Sequence, residues 1–145
     1  MKQITSPKSS FLLEAPLEVL HNESQEWLEE IEFWKDEAAF FYSFIIEKTK
    51  RNPSAFITKD AKDIEKHLVY VSAEKLNDLK IEVQVHEKFL YRLIDNVKLD
   101  DQLYRSRHKA ITEKIHLFEN EFKEMKRKIF LNVEKTIIKK KIVNT

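Results

Sequence analysis

Glu-x-x-His occurs twice in this chain, at Glu18–His21 and at Glu113–His116. On a helix that spacing sets a carboxylate and an imidazole one turn apart, the arrangement with which four-helix bundles hold iron or manganese. Glu113 and His116 share a polar face with Lys109 and Asn120, which aims them at water. A better set comes from His86 and His108, which fall on the apolar stripes of adjacent antiparallel helices. A turn centred between residues 98 and 99 puts His86 across from position 111 and His108 across from position 89. A connection near residue 54 brings His21 level with residue 87. Glu82 lies one turn from His86, and Glu26 is nearby. His21, His86, His108, Glu82 and Glu26 are therefore the candidate ligands for zinc, iron or manganese. The competing expectation is no cofactor, with two core histidines hydrogen-bonded to their neighbours.

Other chemistries are harder to build. The 145 residues include no glycine, so phosphate-cradling loops and the sharp turns that present a nucleophilic serine have no material. They include no cysteine either, which removes disulfides, thiolate nucleophiles and zinc fingers. The sequence predicts no catalytic machinery and no enzyme. Residues 1–15 read as a flexible leader without the apolar run of a signal peptide, and no stretch approaches a membrane span of roughly 18 apolar residues. A cytoplasmic protein is expected.

The elements that must position the histidines are helices. Trp27, Ile31, Trp34, Ala38, Phe41 and Ile45 step by four and three, as do Tyr104, His108, Ile111, Ile115, Phe118, Phe122, Met125 and Ile129. Between them one stripe carries Ile64, Leu68, Val71, then Leu76, Leu79, Val83, His86, Leu90, Leu93 and Val97. Pro53 interrupts the first connection, with Thr58 as an N-cap, and Asp100 or Asp101 caps the third helix. The expectation is an all-α, elongated up-down-up three-helix bundle with coiled-coil-like seams. Its single domain covers 16–141, with helices at about 16–51, 58–97 and 100–141 and a fraying tail at 142–145.

The first helix carries more apolar surface than one neighbour covers. Phe33, Phe40 and Phe44 form a second stripe beside the seam, with Glu30 and Glu37 wedged between the two. Helices 2 and 3 either bury that stripe or leave it for a partner chain. A carboxylate among rings must find a base, a proton or a metal, and a salt bridge to a neighbouring helix is the usual outcome.

Charge is polarised although the formal total is only +1. Ten acids stand against Lys35 alone over residues 14–47, while residues 48–66 and 123–141 hold fourteen bases and five acids, net +9. Lys126, Arg127, Lys128, Lys139, Lys140 and Lys141 form a candidate anion-binding pole for nucleic-acid phosphates or lipid headgroups. No recognition motif accompanies it. The leading reading is a non-enzymatic interaction or scaffold protein that self-associates through helix 1 or binds another protein. The alternatives are a His/carboxylate metal-binding bundle and, behind it, anion binding at the basic pole.

Overall fold

A computed structural model describes residues 16–51, 59–95 and 101–143 of the chain, with side chains over 16–51, 62–94 and 101–132. The expected leader, the Pro53 and Thr58 signals, the turn with Val97 and Asp100, and residues 144–145 lie outside the described residues. What is described is an all-α helical bundle without strands: α1 (Leu17–Arg51), α2 (Lys59–Tyr70), a π-helical turn (Val71–Lys75), α3 (Leu76–Asp95) and α4 (Asp101–Val143).

Helix α1 begins where Pro16 fixes the chain entry, its carbonyl accepting from the amides of Val19 and Leu20. The helix opens on Glu18 and closes on Lys48, Lys50 and Arg51, charges of the sign that each end of the helix dipole favours. Leu20, Ser24, Trp27, Ile31, Trp34, Ala38, Phe41 and Ile45 are all buried at steps of four and three.

The expected continuous second helix is instead interrupted. Its buried stripe runs Ile64, Leu68, Val71 and then skips five residues to Leu76 before resuming at Leu79 and Val83. Five α-helical steps would rotate Leu76 about 140° off the seam. The π turn absorbs the extra residue: the amide of Leu76 donates to the carbonyl of Val71, five residues back. Both side chains stay in the core. Helix α4 continues to Val143, two residues past the expected end at about 141.

The chain divides into two compact units. In the first, formed by residues 16–32, 78–95 and 101–117, Leu20, Leu90, Leu93 and Tyr104 make one buried cluster with Leu17 and Phe89 against it. Glu87 meets His21 and Lys80 meets Glu32, so α3 runs opposite to α1. His86 meets His108 and Glu82 meets Lys114, so α4 runs opposite to α3. The second unit holds residues 33–51, 59–77 and 118–143. Trp34 packs on Phe118 at 4.9 Å between ring centres and Phe41 on Phe130 at 5.8 Å, so α1 and α4 run in the same direction there. Each such ring fully withdrawn from water contributes on the order of 2–3 kcal/mol. No described helix is long and apolar enough to cross a membrane.

Candidate functional site

The polar residues that are buried among the described ones all belong to the first unit: Ser24, His86, Glu87, Arg105, His108 and Thr112. Tyr104 and His108 lie one turn apart on α4, both fully buried, and Thr112 Oγ1 donates to the carbonyl of His108 at 2.9 Å. His86 reaches them from α3, its ring stacked flat on Tyr104 at 4.1 Å, while Trp27 of α1 stacks on His108 at 4.5 Å. Room for these rings comes from Ser24, a small residue at an α1 seam position, whose hydroxyl donates back to the carbonyl of Leu20 at 3.2 Å.

Two hydrogen bonds string the histidines into a line. His86 Nε2 is 2.9 Å from His108 Nδ1, and His108 Nε2 is 2.7 Å from Glu23 Oε1. An ionised Glu23 only accepts, so His108 Nε2 carries a proton and its Nδ1 is the acceptor. His86 must then donate from Nε2, leaving its Nδ1 as a bare lone pair. That atom is buried and has no hydrogen-bond partner among the described residues. Burial favours the uncharged imidazoles: it pushes His86 down to about 3, with the nearby His108 and Arg107 adding to the effect, and His108 down to about 4. Burial, assisted by the Glu87 carboxylate, likewise drives the Tyr104 phenol well above its ordinary value.

A second polar pair borders the first. Glu87, only 6 % exposed, lies with Oε2 2.5 Å from His21 Nδ1 and accepts from Gln25 Nε2 at 3.1 Å. The sequence-derived level for His21, opposite residue 87, is where this contact falls.

The candidate ligands are thus divided. His86 and His108 meet, but they bond to each other, and their nitrogens do not converge on a common point. His21 belongs to Glu87. Glu82 accepts from Lys114 at 2.6 Å, and Glu26 is exposed. Among the described residues no three His, Asp or Glu side chains are placed to hold a metal ion. Glu23, Gln25 and Glu87 are the participants that sequence reasoning missed. The available signal was Ser24, a polar residue on an otherwise apolar seam at the level of the two histidines. As arranged, the line can pass a proton between Glu23, which is partly exposed, and the enclosed Nδ1 of His86.

The aromatic stripe of α1 lies in the second unit. Phe33 is 61 % and Phe40 64 % exposed, and Phe44 is half-buried. Phe40 stacks on Phe44 at 6.4 Å and meets Phe41 edge-on at 5.5 Å; Phe41 in turn meets Phe130 of α4, itself 61 % exposed. Lys48 sits over the Phe44 ring at 5.5 Å. Glu37 is half-buried and accepts from Lys126 at 3.2 Å, whereas Glu30 is exposed.

Of the basic candidates, Lys126 is taken up by Glu37 and by the face of Phe122 at 4.9 Å. Arg127 pairs with Glu124 at 3.0 Å, and Lys128 is exposed beside an open groove of about 610 Å³ that includes Ile64, His67 and Met125. Lys139, Lys140 and Lys141 lie on α4 beyond the described side chains. No protein-family model, curated protein or solved structure matches this chain.

Proposed function

We propose that the chain is a non-enzymatic helical interaction or scaffold protein that self-associates through α1. One observation carries this reading: Phe33 and Phe40, two turns apart on one helix, each leave more than 60 % of their surface in water. Phe40 stacks on Phe44, and Phe130 joins them through Phe41, with Phe33 two turns earlier on the same stripe of α1, so the exposed rings form a ridge. Rings of this size each bury about 150–250 Å² when covered, so the ridge approaches the largest apolar patches that monomers leave open.

The test is the solution mass by light scattering after size exclusion, at low and high salt, for the wild type and for Phe40→Glu. A mass above that of one chain, insensitive to salt and lowered to a monomer by Phe40→Glu with helicity retained, supports the reading. A monomer at both salts and at tens of micromolar chain removes it.

A further inference from the structure

We propose that the occupant of the α1 ridge is a second copy of this chain, its α1 laid antiparallel across the first about a two-fold axis between positions 37 and 40. This rests on the self-association just proposed and adds the partner's orientation and register.

The ridge is a second seam. Positions 26, 30, 33, 37, 40, 44, 47 and 51 advance by four and three along the single helix α1, and they read Glu, Glu, Phe, Glu, Phe, Phe, Glu, Arg. That spacing is the one by which two helices interlock side by side. Antiparallel pairing centred between 37 and 40 sets Phe33 against the partner's Phe44 and Phe40 against the partner's Glu37.

Charge decides the direction. Acids at 26, 29 and 30 precede the ridge, and Lys48, Lys50 and Arg51 follow it. Antiparallel copies bring the partner's Lys48, Lys50 and Arg51 to the acidic stretch at both ends of the contact, with Glu26 facing the partner's Arg51 and Glu30 facing the partner's Glu47, a carboxylate that Arg51 of its own chain already holds. Parallel copies would stack acids on acids and bases on bases, and like charges across a helix pair are repulsive. The carboxylate at the centre is no obstacle, because Glu37 already has its counter-ion within its own chain in Lys126, 3.2 Å away. The contact would run about 38 Å from position 26 to position 51.

The chain has no cysteine of its own, so one introduced thiol reports alone. Under mild oxidation Glu37→Cys, beside the axis, should link into a disulfide dimer at least tenfold faster than Glu47→Cys. In the antiparallel register position 47 lies about 25 Å from its equivalent in the partner. Mixing Phe33→Cys with Phe44→Cys should give the mixed disulfide in preference to either symmetric one. Equal linking at 37 and 47, with symmetric products in the mixture, means a parallel pair and overturns the orientation while leaving self-association standing. A dimer by mass that links at neither position overturns the register. A monomer by mass removes both.

Discussion

His86 donates to His108 across 2.9 Å inside the first unit, with both side chains sealed from solvent. Neither imidazole is free to take a proton as it would in water. A proton added to the line enters at His86 Nδ1, and shifts along the two hydrogen bonds move its charge to His108 or on to Glu23, against the cost of burying it. Glu23 from α1 and Arg107 from α4 are charged groups beside the pair, and Glu87 of α3 and Arg105 of α4 act on the adjoining Tyr104.

Stability should therefore fall with acidification. Both histidines titrate lower in the folded chain than the 6.5 of an unfolded one, at about 3 and about 4. The unfolded state thus binds more protons below pH 6.5, and folding weakens as pH drops from there toward 4. The slope should approach about 1.4 kcal/mol per pH unit for each histidine. Urea midpoints at half-unit intervals from pH 7.5 to 4.5 check this. A double His86→Leu, His108→Leu variant should flatten the profile.

Removing both members of the line should cost less than the two single removals added together. His108→Ala opens a cavity beside Trp27 and strands His86 Nε2 without an acceptor, for a loss of about 2–4 kcal/mol. The double leucine variant deletes the donor and the acceptor together and fills the space, so its loss should be well below the sum of the single leucine variants. A double-mutant cycle in urea measures the difference.

The π turn should tolerate a deletion that no neighbouring stretch will accept. Taking out Ala73 shortens the step from Val71 to Leu76 from five residues to four, which an ordinary α-helix bridges without losing the seam. Stability should stay within about 1 kcal/mol of wild type. Deleting Gln84 instead rotates His86, Leu90 and Leu93 by about 100° relative to Leu79 and Val83. That variant should lose cooperative unfolding in the same denaturation experiment.

In the second unit packing should outweigh the ion pair. Glu37 and Lys126 are each about a quarter exposed, and their coupling energy should lie below about 1 kcal/mol and shrink further in salt. Phe118→Ala, which removes a ring buried against Trp34 and Phe122, should cost about 3–5 kcal/mol. Denaturation midpoints of the two sets order the effects.

Much of this fold was legible because the seams of α1 and α4 step by four and three without a break, and nothing but a helix buries such a pattern on one side. The skip from Val71 to Leu76 was visible too, but apolar spacing alone does not say whether a helix has stopped or widened. That depends on where the amide of Leu76 finds its acceptor. The histidine pair could be placed to within a turn because both residues sit on seams. Glu23 and Glu87 were not found, since each flanks a seam position (Ser24 and His86) and reads as part of the wetted face. Only the inward lean of those side chains buries Glu87 and brings the partly exposed Glu23 onto His108, and that is a property of packing.

The two tryptophans divide between the units. Trp27 lies on His108 in the first, and Trp34 on Phe118 in the second. Each unit therefore carries its own fluorophore. Single-tryptophan variants, Trp34→Phe and Trp27→Phe, would follow the melting of one unit at a time with no label attached. An imidazolium in contact with an indole quenches its emission, so Trp27 would also dim as the histidine line takes up a proton while Trp34 stays bright. Whether the halves of this chain come apart in one step or two is thus written in its own light.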